Sequence, residues 1–280
     1  MIVVHTVADL RASVLAWKRD GLRVGFVPTM GNLHAGHFSL VEIAKRHADR
    51  IVASVFVNPT QFGPNEDFAR YPRTLDADAD GLDAHGCDVL FAPSMAEMYP
   101  DGADNAVRIR VPGITTILDG AHRPGHFDGV ATVVARLFNM VQPDVAVFGQ
   151  KDYQQLQVIR GLVRDLAFPI AIVAAPTARA DDGLALSSRN QYLSDAEREI
   201  APEIHRTLLA MRDAVRAGEA LDAVASVASR RLAAAGFVVD YAAIHRTDLG
   251  APEHGQRNGL VALVAARLGS TRLIDNLALD

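Results

Sequence analysis

The sequence predicts a doubly wound parallel α/β domain followed by a smaller α+β domain. Three observations predict it. Short, predominantly apolar runs recur at 51–57, 88–92, 145–148 and 170–174, as in strands buried on both faces of a parallel sheet. Stretches of helical period separate them. After about residue 176 the alternation stops, and two long helical patterns are followed by three strand-like runs.

In chain order, residues 9–19 read as an amphipathic helix ending near Gly21, and 23–27 as a short strand stopped by Pro28. Residues 39–47 are helical in period. The run 51–57 is a strand stopped by Asn58-Pro59, and 88–92 a strand stopped by Pro93. An apolar-striped helix covers 130–140, followed by a strand at 145–148, a helix at 153–166 and a last strand at 170–174. Ser194-Asp195-Ala196-Glu197 has the spacing of a capping box and opens one long helix over 194–217, which Gly218 ends. A second helix covers 221–235, and the runs 238–244, 260–266 and 272–276 read as short strands. The expected domains are therefore 1–176 and 177–280. In such a sheet, ligands bind outside the carboxyl ends of the strands.

Composition narrows the function. The chain has 280 residues, enough for a large domain and a small one, and its net charge of -5 gives no basic face for nucleic acid. The longest apolar runs have about seven residues where a membrane span needs about 20, so no membrane segment is expected. No signal peptide is read at the start. A lone cysteine, Cys87, allows no internal disulfide and suits a reducing cytoplasm. Against 25 arginines stand only three lysines, Lys18, Lys45 and Lys151, so a lysine here is a residue to inspect.

Four segments carry candidate chemistry, each at a strand end or a domain junction. Pro28 to His37 includes His34-Ala35-Gly36-His37 at a strand-to-helix turn, where main-chain N–H groups and the helix dipole favour phosphate. His34 and His37, three apart, share one face and are placed to stabilise charge in phosphoryl transfer. A structural metal is the other use of such a pair, but no third or fourth ligand lies at a suitable spacing. Asn58 and Gln61 leave the next strand and offer neutral amides suited to a hydroxy-acid; an Asn-Pro pair also simply makes a turn. Gly149-Gln150-Lys151-Asp152 again joins strand to helix, with Lys151 able to meet phosphate, or else to be a solvated lysine at a helix start. Leu186-Ser187-Ser188-Arg189-Asn190 would make a polyphosphate cradle or a polar inter-domain loop. The stretch 122–129, rich in glycine and charge, borders these without an assigned role. His5, His47, His85, His205, His245 and His254 have no motif context, and Trp17 is expected to pack on its helix.

Seven blocks together resemble the pantothenate synthetase (pantoate–β-alanine ligase) family: VPTMGNLHAGH at 27–37, FVNPTQF at 56–62, RYPRTL at 70–75, RPGHFDGVATVV at 123–134, FGQKDYQQL at 148–156, LALSSRN at 184–190 and RLIDN at 272–276. They span almost the whole chain in the family's order and are far more specific than the HxGH pair. The resemblance implies a Rossmann-like domain with a smaller C-terminal cover, a cytoplasmic homodimer, and an AMP-forming ligase that joins (R)-pantoate to β-alanine with Mg-ATP through a pantoyl adenylate. By the same likeness ATP is bound by Met30, Gly31, Asn32, Leu33, His34, Ala35, Gly36, His37, Gly149, Gln150, Lys151, Asp152, Ala178, Leu186, Ser187, Ser188 and Arg189. The likeness also makes Gln61 and Gln155 pantoate contacts, with Gln61 near β-alanine as well, and His37 the proton donor; the residues' own chemistry adds Asn58 as a substrate-binding amide and His34, His37, Lys151 and Arg189 as the catalytic source of positive charge at phosphorus. Two positions depart from the pattern. Gln150 stands where relatives commonly carry Glu, which leaves the Mg²⁺ ligands open, and Ala178 replaces a larger aliphatic residue. Two other readings compete: an adenylyl-transfer enzyme with a different acceptor, disfavoured because Gln61 and Gln155 are neutral, and a non-catalytic nucleotide-binding regulator.

Overall fold

A computed structural model describes residues 1–64 and 66–280. The chain divides into two compact units, Met1–Gln150 with Val158–Pro176, and Lys151–Gln157 with Thr177–Asp280.

The first unit is built on six parallel strands. Its elements are β1 (Ile2–Val4), α1 (Val7–Arg19), β2 (Val24–Thr29), α2 (Ala35–Ala44), β3 (Arg50–Val55), α3 (Leu75–Ala84), β4 (Val89–Phe91), α4 (Met95–Met98), α5 (Asp119–His122), α6 (His126–Val141), β5 (Val145–Gly149), the part of α7 (Tyr153–Asp165) from Val158 onward, and β6 (Ala171–Ala175). The strand order β1-β4-β3-β2-β5-β6 makes the connections run one way from β2 through β3 to β4 and the other way from β5 to β6. The order therefore reverses between β2 and β5, and the crevice at their carboxyl ends is the natural ligand position. Val27, Ile51, Ala53, Leu90, Val145 and Val147 are buried under Leu40, Val41 and Ala44 of α2. Each such aliphatic contributes about 1.5–3 kcal/mol by leaving water.

The second unit contains α8 (Asp195–Ile200), α9 (Glu203–Arg216), α10 (Leu221–Ala234) and the antiparallel strands β7 (Val238–Arg246), β8 (Leu260–Leu268) and β9 (Thr271–Ala278) in the order β7-β8-β9. Leu208, Met211 and Val215 of α9 and Val224 and Leu232 of α10 close over Ala262, Val264 and Ala266 of β8.

Four sequence readings are corrected. The helix expected over 194–217 is two helices, because Pro202 lacks an N–H and its ring would clash with the carbonyl four residues earlier; α8 stops at Ala201 and Pro202 caps α9. The capping box is present, with Ser194 N–H donating to Glu197 (2.8 Å) and Glu197 N–H to Ser194 Oγ (3.3 Å). Pro28 lies inside β2 and does not stop it. β5 pairs with β2 only at Gly25 and Phe26, so on that side the strand's end is already free of a ladder that would need the missing N–H. α2 starts at Ala35, four residues before the expected start at 39, so the second histidine belongs to its first turn. β1 and α3 have no counterpart in the sequence reading; β1 is only three residues long, and α3 is masked by the acidic run 76–80.

Candidate functional site

β2 delivers its chain to a tight turn before α2. Gly31 (φ +85°) and Asn32 (φ +53°) are both left-handed, which glycine and asparagine tolerate best. A buried carboxylate holds this turn: Asp78 of α3, 3% exposed, accepts from the N–H groups of Asn32 (2.9 Å) and Leu33 (2.7 Å) and from Thr74 Oγ1 (3.2 Å). These two main-chain donors therefore face Asp78, which leaves anion binding to the helix start and the side chains.

His34 is the N-cap of α2. Its Nδ1 accepts from Gly36 N–H at 3.1 Å, while His37 Nδ1 accepts from His34 N–H at 3.4 Å. The rings lie 4.2 Å apart, centroid to centroid. Because both Nδ1 atoms act as acceptors, each neutral ring carries its proton on Nε2. The interlock thus makes each neutral imidazole an Nε2–H donor, at the positive end of a helix dipole.

The second group follows β3. Asn58 caps a 3-10 turn over Pro59–Gln61 and is 1% exposed. Tyr99 Oη donates to Asn58 Oδ1 (2.9 Å), and Asn58 Nδ2 donates to Gln61 Oε1 (3.1 Å) and to the Gly129 carbonyl (3.2 Å). This chain sets the amide of Gln61: with Oε1 occupied as an acceptor, Nε2 is turned the other way, onto Met30 Sδ at 3.2 Å. A thioether is a weak acceptor, so a carboxylate or hydroxyl oxygen would displace it with gain. Burial raises the Tyr99 phenol above its usual value, which keeps it protonated and donating. Gly129 lets α6 close on this turn, since a Cβ there would collide with the Thr60 carbonyl.

The glycine-rich stretch at 122–129 braces the same turn from outside. Arg123 grips Glu66 with two 2.6 Å hydrogen bonds, and His126 Nδ1 meets the Gln61 carbonyl at 2.8 Å. Burial and then the Arg123 cation push His126 down to about 4. At neutral pH it is uncharged, donates from Nδ1 to the carbonyl and accepts from Arg123 at Nε2 (2.9 Å). Burial alone would raise Glu66, but the bonds to Arg123 outweigh it and hold the carboxyl below its usual range. The linkage follows. Between pH 6.5 and 4 the unfolded chain takes a proton at this histidine that the folded one refuses, so stability falls as pH falls through that window. The expected outcome is a smaller loss of melting temperature between pH 7 and pH 5 in His126→Gln than in the wild type. Equal pH slopes would contradict the assignment.

Gly149 and Gln150 close the set in the first unit. They follow β5, with Gln150 N–H donating to the Ala175 carbonyl (2.8 Å). Lys151, Asp152 and Gln155 fall in the second unit with Ala178 and Leu186 to Arg189. The Lys151 ammonium lies 3.8 Å from Asp152 and is mostly buried. Gln155 sits partly buried in the first turn of α7. Leu186 N–H donates to the Ala178 carbonyl (2.9 Å), Arg179 bridges Ala185, and Ser187 Oγ caps the 3-10 turn through Arg189 N–H (3.3 Å). Sequence reasoning missed Asp78, Tyr99 and the bracing pair Arg123–Glu66. Asp78 had one available signal, its position four residues before the buried Leu82 on the apolar face of α3.

Among the described residues, no helix is long and apolar enough to cross a membrane. No three His, Cys, Asp or Glu converge as a metal cage among them.

The pantoate-β-alanine ligase family model matches residues 2–278. A relative named pantothenate synthetase from Xylella fastidiosa (strain 9a5c) is 63% identical over 279 residues, covering 98% of this chain and 99% of that protein. Another of that name from Stenotrophomonas maltophilia (strain K279a) is 60% identical, covering 96% of each. The crystal structure of pantothenate synthetase from Thermus thermophilus superposes with a TM-score of 0.92 at 51% identity, covering 100% of this chain and 99% of that one. The ligase from Francisella tularensis, complexed with beta-gamma ATP and beta-alanine, superposes with a TM-score of 0.83 at 35% identity, over 100% of this chain and 98% of that one. With the family model matching nearly the whole chain and relatives of that name more than half identical over nearly their full length, the chain belongs to the pantoate-β-alanine ligase family.

Proposed function

We propose that the protein condenses (R)-pantoate with β-alanine at the expense of ATP, in two steps at the residues described above. A carboxylate oxygen of pantoate attacks the α-phosphorus of ATP and pyrophosphate leaves. The uncharged amine of β-alanine then attacks the acyl carbon, the acyl–oxygen bond breaks, AMP leaves and the amine loses a proton. The observation that carries the reading is the interlocked His34–His37 cap, which fixes both rings as Nε2–H donors at a helix start where phosphate charge is stabilised. Family membership and the Francisella complex support ATP and β-alanine as substrates.

Met30 to His37, Gly149 to Asp152, Ala178 and Leu186 to Arg189 are read as the ATP site, with His37, His34, Lys151 and Arg189 supplying positive charge or protons where the transition state becomes negative. Gln61, held as a donor by Asn58, and Gln155 are read as the pantoate contacts. Magnesium enters as part of the substrate Mg-ATP. Mg²⁺ in phosphate complexes takes most of its oxygens from phosphate and water, so it needs few protein ligands. By family resemblance we extend the reading to a homodimer in the cytoplasm, a compartment that suits a single buried cysteine whose thiol burial pushes up to about 12.

The test is pyrophosphate release from Mg-ATP with (R)-pantoate, with and without β-alanine. The expected result is at most one equivalent per site without the amine and sustained turnover with it. No release with pantoate, in a protein that binds ATP, would overturn the reading in favour of a different acid or a nucleotide-binding regulator.

A further inference from the structure

Asp275 and Asn276 lie side by side on β9 and are both buried, 4% and 7% exposed. Buried polar side chains cost stability unless they are bonded, so their partners indicate their use. Asp275 takes the Arg179 guanidinium with both oxygens, Nη1 to Oδ2 at 2.6 Å and Nη2 to Oδ1 at 2.9 Å. Arg179 Nη1 also donates to the Gly183 carbonyl (3.0 Å), and the Arg179–Ala185 bridge with the Leu186-to-Ala178 bond makes residues 178–186 one tight hairpin. A grip on Arg179 therefore fixes the segment that leads directly into Ser187-Ser188-Arg189. Asn276 Nδ2 donates to the main-chain carbonyl of Lys151 at 2.8 Å, and its own N–H donates to Asp275 Oδ1 at 2.8 Å. Successive strand residues point to opposite faces, so one strand reaches two separate segments.

We infer that Asp275 and Asn276 form a two-armed positioning element, one arm holding the 178–186 hairpin and the other the Lys151 backbone, that sets the spacing of the two phosphate-binding segments of the second unit. This rests on the nucleotide-site reading above. A second tether, Tyr153 Oη to the Thr247 carbonyl (2.8 Å), holds the Lys151 segment from another strand connection. Loss of the Asn276 arm therefore displaces Lys151 without freeing the whole segment. Neither residue needs to touch the substrate. Their removal is felt as weaker ATP binding, while pantoate, assigned to Asn58, Gln61 and Gln155, is little affected.

The experiment compares the wild-type chain with Asn276→Ala and Asp275→Asn. It reads Mg-ATP affinity by calorimetry, KM for each of the three substrates, and melting temperature. For Asn276→Ala the expected result is an about tenfold rise in both Kd and KM for ATP, the scale of one lost hydrogen bond. KM for pantoate stays within about twofold and the melting temperature near that of the wild type. Asp275→Asn moves the same ATP parameters further, since it breaks a charge-assisted pair. If it does not fold, Asn276→Ala decides alone. Unchanged ATP parameters in folded Asn276→Ala, or an equal rise in all three KM values, would overturn the inference. A wild type that binds no ATP would instead overturn the site reading itself.

Discussion

Replacing His37 by alanine lowers turnover by about 10²–10³, the scale of losing one preorganised donor to a developing negative charge. The ring is placed for that role by its own helix. Its Nδ1 accepts from His34 N–H, which fixes Nε2–H as the donating edge, and α2 adds its dipole. The substitution also removes half of the helix cap, worth about 0.5–2 kcal/mol of stability. Turnover and melting temperature therefore have to be measured together. His37→Asn separates the two effects, since it retains a side chain able to accept from His34 N–H while losing the imidazole. The expected pattern is a small change in KM for ATP with kcat strongly reduced in both variants, and a melting temperature closer to wild type in His37→Asn. A turnover within threefold of wild type in folded His37→Ala would remove the residue from the chemistry.

The other large effect is expected at Asp78, which no part of the reaction touches. Its carboxylate is the acceptor for two main-chain N–H groups in a turn with two successive left-handed residues. Asp78→Ala deprives both of that acceptor at a cost on the order of 3 kcal/mol, and the strained turn then has no reason to keep its shape. Because the turn sets where α2 begins, both histidines move with it. Turnover is expected to fall by about 10²-fold, since small misplacements of catalytic groups cost that much. Asp78→Asn keeps one acceptor oxygen but turns an NH₂ towards an N–H donor, and is expected to lie between. Thermal melting and steady-state kinetics on the three proteins check this. An Asp78→Ala protein with wild-type stability and rate would show that the turn holds itself.

The difference between His37 and Asp78 shows what the sequence makes legible. Strands β3, β4, β5 and β6 are readable because each is a short apolar run bounded by a breaker, and the fold class follows from four such runs separated by helices. The HxGH pair is readable because a glycine and two histidines at a strand–helix junction are unusual together. Asp78 is not, because in Asp76-Ala77-Asp78-Ala79-Asp80 the buried acid is flanked by two exposed ones of the same type. What singles it out is a turn some 45 residues away in sequence. Tyr99 is hidden likewise, since its partner Asn58 is 41 residues distant. The second unit's claim on residues 151–157 has the same origin. It depends on Asn276 and Tyr153 reaching across the sequence, and no local period announces that. Pro202 is the opposite case: its effect is local, and the break it makes between α8 and α9 is one the sequence itself signals.

Oxygen transfer tests the central claim, an acyl adenylate formed at the His34–His37 cap, most directly. With both carboxylate oxygens of (R)-pantoate labelled with ¹⁸O, attack on the α-phosphorus makes one of them the bridging atom, and attack by β-alanine on the acyl carbon leaves that atom on AMP. Mass spectrometry of the products is then expected to find one ¹⁸O in the phosphate of each AMP and none in pyrophosphate. Label in inorganic phosphate with ADP as coproduct, or unlabelled AMP beside pyrophosphate that carries the label, would contradict the adenylate and with it the role given to the cap.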